Sequence, residues 1–202
     1  MTAVWETFLE FARLELASGG PDPHLALAVQ GMGEVADPCE KAWRAGCYVG
    51  PYEVSTGAVL WSHWPLAQTL AAPEQFTAWI QEHWAGLQIR RERRAARTPV
   101  KMAEALLSAA RWAAVVGPTL NGQSFEALWT TADRGLRYYG RYALIKFLET
   151  LHRGGVVHEG ATDIRPAGGW SPRGTLALLF PGDDHALLVE SNRADGLALA
   201  NA

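Results

Sequence analysis

The segment from 90 to 97 is the densest cluster of side chains with chemical potential in the sequence, Arg-Arg-Glu-Arg-Arg-Ala-Ala-Arg. On a helix, four of its arginines would share one face at i, i+3, i+4 and i+7: Arg90, Arg93, Arg94 and Arg97. Guanidinium groups this close repel one another unless an anion lies between them, and their planar donor forks match phosphate oxygens. The pattern therefore predicts a phosphate site. The alternative is a solvated basic face that Glu92 balances in part.

A second candidate site surrounds Gly140. Helical patterns on both sides of a short glycine-containing turn are typical of a helix-hairpin-helix DNA-binding element. In such an element the backbone N–H groups that begin the second helix hold a DNA phosphate, and Arg141 would add charge there. Tyr138 occupies the position of the first of the two usual glycines. The alternative is an ordinary corner between helices, with Tyr142 and Ile145 buried.

The loop from 163 to 173 is a third candidate, because two glycines allow a close backbone approach and Ser171-Pro172 begins a predicted helix. It has neither a Walker sequence nor a dinucleotide fingerprint, and a plain loop between helices is the alternative. Aromatic residues beside turns add weaker candidates. Tyr48 and Tyr52 flank Gly50-Pro51 and could line a pocket. The indole rings of Trp61, Trp64 and Trp170 either stack on a base or pack in the core.

The composition sets the class of protein. The chain has 202 residues, of which 49% are hydrophobic and 19% charged, so global disorder is excluded. No apolar run approaches the roughly 20 residues that span a bilayer, and the N-terminal residues lack the basic start and apolar middle of a signal peptide. Two cysteines and six scattered histidines show no zinc spacing. We expect a cytoplasmic protein that uses no metal or cofactor and does not associate with membranes.

The net charge of −3 conceals a marked asymmetry. Residues 90–153 carry twelve basic and five acidic side chains, whereas the rest of the chain carries six basic and sixteen acidic ones. Fifteen of the eighteen cations are arginine. Because arginine is the better partner for phosphate, this bias favours a basic middle region that meets a polyanion.

The periodicity predicts a single, mostly α-helical domain over 1–202, a compact bundle with a basic middle at 90–153 and a loop-rich part at 154–202. No β alternation and no repeat is evident. Predicted N-caps are Asp37, Thr98 and Ser124, two of them followed by proline. The predicted helices and apolar runs cover 3–17, 24–32, 38–49, 54–64, 74–85, 98–116, 124–133 and 141–153.

Taken in order, several segments resemble the phage amino acid:DNA transferases, also described as α-glutamyl/putrescinyl-thymine pyrophosphorylase-like proteins. The resemblance covers about two thirds of the chain and rests on the order in which its motifs occur. The segments are Cys47-Tyr48 to Trp61 with Trp64-Pro65, His83-Trp84, Arg90–Arg97, Tyr139 to Ala143 with Ile145-Lys146, and Asp163-Ile164-Arg165 with Gly168 to Pro172.

The resemblance implies a helical fold similar to helix-hairpin-helix glycosylases and a bacteriophage enzyme of thymine hypermodification, working in the host cytoplasm. Its substrate would be double-stranded DNA in which an upstream kinase has activated 5-hydroxymethyluracil as a phosphate or pyrophosphate ester. The transferase would replace that group with the amine of a free amino acid or polyamine.

Roles for individual residues follow from the resemblance. The four arginines that share a face would neutralise charge on the leaving group, and Asp163 or Glu53 would serve as the general base. The remaining candidates bind substrate or DNA. They are Tyr139 and Trp170 for stacking on the base, Tyr48 for the pocket, Arg165 for the amino acid carboxylate, and Gly140, Arg141 and Lys146 for DNA phosphates.

Two other functions remain open. A non-catalytic helical DNA-binding module would need the basic middle and the hairpin but no pocket. A base-excision glycosylase would need a lysine or aspartate just beyond the hairpin, whereas Lys146 lies within the predicted helix and no aspartate follows closely.

Overall fold

The computed structural model describes residues 23–90 and 95–160, which confirm the mostly α-helical fold. Residues from His24 onward in this part form one compact unit, which contains no strand. Its eight α-helices are α1 (Pro23–Gly33), α2 (Pro38–Val49), α3 (Val54–His63), α4 (Leu66–Ala71), α5 (Pro73–His83), α6 (Pro99–Val116), α7 (Phe125–Gly135) and α8 (Arg141–Arg153). Two short 3-10 helices, Ala95–Arg97 and Gly117–Gly122, precede and follow α6.

The helix starts follow local chemistry. The side chains of Asp37, Thr98 and Ser124 accept hydrogen bonds from the backbone N–H groups at the starts of α2, α6 and α7. These contacts confirm the three predicted N-caps, because each satisfies a donor that the helix itself cannot. Pro38 and Pro99 occupy first helical positions, where no N–H is needed.

The core centres on α6, which packs against α2, α4, α5 and α7. Its buried face is rich in small residues: Ala103, Ala105, Ala109, Ala110 and Ala113. Small residues let neighbouring backbones approach closely. At Gly46 of α2, a Cβ would lie 2.8 Å from the Cβ of Ala109. A side chain at Gly46 would therefore force α2 and α6 apart.

Tryptophans join the helices around this centre. The Nε1–H of Trp43 donates to the carbonyl of Trp64 across 2.8 Å, and both rings meet Phe76 edge-on. Trp61 and Trp64 are buried, as is Trp43. Core packing, rather than stacking on a base, is therefore the role of Trp61 and Trp64.

None of the helices within 23–90 and 95–160 combines the length and the apolar character needed to cross a membrane.

The carboxylate of Glu40 fixes the start of α4 from a partly buried position. Its Oε2 accepts a hydrogen bond from the N–H of Leu66 at 2.9 Å, and Arg44 lies 3.9 Å from Oε1. Burial raises the pKa of Glu40 above its usual range, although the Leu66 N–H and Arg44 partly oppose the rise. The folded state therefore binds this proton more tightly than the unfolded state does.

Glu40→Gln should weaken the pH dependence of the free energy of unfolding in the range between the unfolded and the folded pKa of Glu40. With a raised folded pKa, the free energy of unfolding falls as the pH rises from the unfolded value through the folded one. Glutamine can still accept the Leu66 N–H and carries no proton to lose. Urea unfolding from acid to neutral pH measures the slope. The control is Glu34→Gln, which removes the exposed partner of Arg44 and should keep the wild-type slope; an unaltered slope in Glu40→Gln would contradict the prediction.

Candidate functional site

The predicted turn around Gly140 lies between two helices, α7 and α8, and this connection is termed the hairpin. Five residues, 136–140, connect the two helices, which pack against each other. The N–H of Arg137 donates to the Ser108 hydroxyl on α6 at 2.9 Å, which ties the turn to the core. Gly140 is the N-cap residue of α8 in an extended conformation, and a Cβ there would meet nothing within 4 Å. The backbone at the start of α8 is therefore open to a close approach around Gly140.

Tyr138, in the connection between α7 and α8, has a positive φ. Its φ is 61°, in the left-handed region that glycine favours. The exposed side chain lies along α6, where its hydroxyl donates to Glu104 at 2.6 Å and its ring lies 5.9 Å from the Lys101 ammonium. This hydrogen bond is also the main reason that the pKa of Tyr138 is raised. These contacts offset the strain of a left-handed backbone conformation, so a tyrosine is accommodated at position 138 of the turn.

Tyr139 is a core residue, so the prediction that it stacks on a base is wrong. Its hydroxyl donates to the carbonyl of Gly46 at 3.1 Å, and its ring meets Phe147 edge-on. Burial raises the pKa of this phenol far above its usual range. Tyr48 is likewise fully buried, with its ring stacked on Tyr52, and it forms part of the core rather than a pocket wall.

Tyr52, a predicted pocket residue, forms an aromatic pair at the surface with Tyr142, and this pairing was not predicted from the sequence. Tyr52 follows Pro51 with a left-handed φ of 54°, and its hydroxyl lies 3.1 Å from that of Tyr142. Tyr142 is in the first turn of α8 and is 53% exposed, so the alternative that buried it is also wrong. The Gly50-Pro51 turn was a visible signal, but only the fold brings it to α8.

The segment from 90 to 97, termed the arginine segment, begins beside the Gly50-Pro51 turn. The N–H of Arg90 donates to the carbonyl of Pro51 at 3.0 Å, and the Thr56 hydroxyl donates to the carbonyl of Gln88 at 2.6 Å. Arg90 is exposed. Through Pro51 and Tyr52, the start of the arginine segment is connected to Tyr142 and the first turn of α8.

The shared helical face considered for the arginines of 90–97 does not extend to Arg90 and Arg97, because neither lies in an α-helix. Arg90 lies outside any helix, where its N–H bonds to Pro51, and Arg97 ends a 3-10 helix that packs on α6. Thr98 is extended, as expected for a residue before proline. Arg97 is exposed, whereas Arg93 and Arg94 lie outside the described residues.

Arg141 and Lys146, both predicted to bind DNA phosphates, differ in their surroundings. Arg141, half-buried, is the first residue of α8. Lys146 is mostly buried, and its Nζ bonds to Glu149 at 2.9 Å. This ion pair neutralises the lysine within its own helix, so a DNA-gripping role does not fit Lys146.

Of the two candidate bases, Glu53 lies within the described part. Its side chain is largely buried beside the Tyr52 turn and accepts a hydrogen bond from the Ser55 hydroxyl at 3.3 Å. The His24 imidazole lies 3.7 Å away. Asp163, Arg165 and Trp170 lie outside the described residues.

The site as described combines exposed Arg90, the Tyr52–Tyr142 pair and the start of α8. Neutral Cys47, whose pKa is raised well above its usual range by burial, offers no nucleophile there. Comparison of the chain with protein-family models, with curated proteins and with solved structures gives no match.

Proposed function

We propose that the protein is a bacteriophage DNA-modifying transferase. It displaces phosphate or pyrophosphate from an activated 5-hydroxymethyl-pyrimidine in DNA with the amine of an amino acid or polyamine. The observation that carries the proposal is a chain of contacts. Arg90 bonds to Pro51, and Tyr52 bonds to Tyr142 in the first turn of α8. Arginines suited to a leaving phosphate thus begin next to the hairpin suited to a DNA phosphate.

In the proposed reaction the amine nitrogen attacks the methylene carbon attached to the base. A carbon–nitrogen bond forms as the carbon–oxygen bond breaks, and the (pyro)phosphate leaves with the bonding electrons. The arginine segment stabilises the charge that develops on those oxygens. A general base takes the proton that the amine loses, a role assigned to Asp163 or to Glu53 beside the Tyr52 turn.

The DNA-binding part of the proposal uses the hairpin. The start of α8, with Gly140 and Arg141, holds a backbone phosphate because helix N-termini and guanidinium groups both favour anions. Reaction at a base within a duplex requires that the base leave the stack. Exposed Tyr142 takes over the stacking role first given to Tyr139, and Trp170 remains a second candidate.

A transfer assay tests the proposal directly. The protein is incubated with duplex DNA that carries enzymatically phosphorylated 5-hydroxymethyluracil, together with amino acids and polyamines, and the digested nucleosides are analysed by mass spectrometry. An amine-bearing nucleoside that depends on the phosphorylation supports the transferase and identifies the donor. DNA with unphosphorylated 5-hydroxymethyluracil is the control.

The second candidate function is a non-catalytic helical DNA-binding module. The exposure of Arg90 and Arg97 favours it, because a module needs its arginines at an open surface. No transfer product, combined with tight and salt-sensitive binding of DNA, would replace the transferase with this module. A glycosylase ranks behind both, since Lys146, the lysine that follows the hairpin in α8, is paired with Glu149.

A further inference from the structure

A concave surface lies between α6 and α7, separate from the arginine segment. It is a groove of about 570 Å³ whose walls come from one face of each helix and from the turn that follows α7. Small-molecule sites typically enclose about 300–1,000 Å³, so the groove has room for a compact ligand. The lining residues that matter here are Arg111, Trp112, Val115, Thr131, Arg134 and Arg137.

The groove is strongly basic. Three guanidinium groups line it, and no carboxylate does. Within residues 23–90 and 95–160, Arg111 and Arg134 form no ion pair, and Arg137 is 71% exposed at 4.0 Å from Glu104. Three cationic side chains around one exposed surface raise the local electrostatic potential and attract anions.

The buried wall of the groove holds a polar group that also lacks a partner. Trp112 is only 5% exposed, and its Nε1–H finds no acceptor among the described residues. The ring edge that carries this N–H lies against Gly135, where a Cβ would be 2.8 Å from Cδ1 and 3.8 Å from Nε1. The indole N–H can only donate, so it is an unused donor in the wall of the groove that the three arginines line.

We propose that this groove binds the phosphoryl group of a nucleotide unit, either free or within a nucleic-acid strand. The guanidinium forks of Arg111, Arg134 and Arg137 supply charge-assisted donors for its oxygens. The hydroxyl of Thr131 is committed as a donor to the Leu128 carbonyl at 3.0 Å. Val115 offers an apolar surface to the adjoining sugar or base. The proposal concerns binding alone and does not depend on the transfer reaction.

NMR of the full chain labelled with ¹⁵N tests the proposal through the indole signal of Trp112, assigned by its loss in Trp112→Phe. The ligands are inorganic pyrophosphate, thymidine monophosphate and a short unmodified DNA duplex. We expect a saturable shift of this signal. Arg111→Gln and Arg134→Gln should each weaken binding at least about tenfold, as the loss of a charge-assisted hydrogen bond implies.

The matched control is Arg153→Gln, which removes an exposed arginine paired with Glu149 at the end of α8 and should leave the affinity unchanged. A shift with pyrophosphate or the mononucleotide identifies a free phosphorylated ligand, and a shift with the duplex alone identifies a strand phosphate. No saturable shift with any ligand, or equal weakening in Arg153→Gln, overturns the proposal. If Trp112→Phe does not fold, calorimetric titration of the exposed arginine variants with the same ligands distinguishes the same outcomes without that assignment.

Discussion

Arg93→Ala and Arg94→Ala should each lower the rate of amine transfer by about 10²–10³-fold, the usual cost of removing one donor that stabilises transition-state charge. The leaving phosphate gains negative charge as its bond to carbon breaks, and a guanidinium aimed at those oxygens helps most at that moment. The loss should therefore appear in kcat and in kcat/KM alike, rather than in KM alone. Single-turnover transfer on phosphorylated DNA measures it.

The matched control is Arg153→Ala, since Arg153 is an exposed arginine in an ion pair with Glu149. It changes the net charge by the same amount and should transfer at the wild-type rate. Circular dichroism should show an unaltered helical fold in all three variants. Full activity in both Arg93→Ala and Arg94→Ala would remove the leaving-group role from this segment. A rise in KM alone would instead assign these arginines to holding the DNA.

Phe147→Ala should lower the free energy of unfolding by about 3–5 kcal/mol, the range measured for large aromatic deletions in protein cores. Phe147 is fully buried on α8. Its ring meets Trp112 edge-on at 5.2 Å and Tyr139 at 6.1 Å between centroids. Alanine would remove both aromatic contacts and leave a cavity among α2, α6 and α8 that the small residues around it cannot fill.

Urea denaturation followed by circular dichroism measures this loss. Phe147→Leu is the control, because it keeps most of the buried apolar volume and should lower the free energy of unfolding by about 1.5 kcal/mol or less. A loss in Phe147→Ala no larger than that of Phe147→Leu would mean that the aromatic cluster around Phe147 collapses to fill the space.

Local chemistry made much of the fold predictable. Asp37, Thr98 and Ser124 cap helices by bonds that span only two or three residues, so a sequence pattern is enough to find them. The starts of α2, α6 and α7 follow from such caps, and α5 begins at a proline, whereas α3 and α8 begin without a side-chain cap. Contacts between residues on different helices were much harder to predict from the sequence.

The candidate site shows why. Tyr139 and Tyr142 stand three apart in the sequence, yet one is sealed in the core by Gly46 and the other is open beside Tyr52. The helical face considered for the arginines of 90–97 does not include Arg90, whose N–H bonds to the carbonyl of Pro51, a residue distant in sequence. Contacts of this range depend on the packing of whole helices, which periodicity does not encode.

The central position of α6 has a consequence for dynamics. Because neighbouring helices enclose its small-residue face, we expect the buried backbone amides of α6 to exchange hydrogen with solvent slowly. Trp112 and Arg111 belong to this helix, so we expect them to stand on a slowly exchanging part of the described chain. A phosphorylated ligand in the groove would meet a wall that is already ordered, and little of its binding free energy would be lost to immobilising that side.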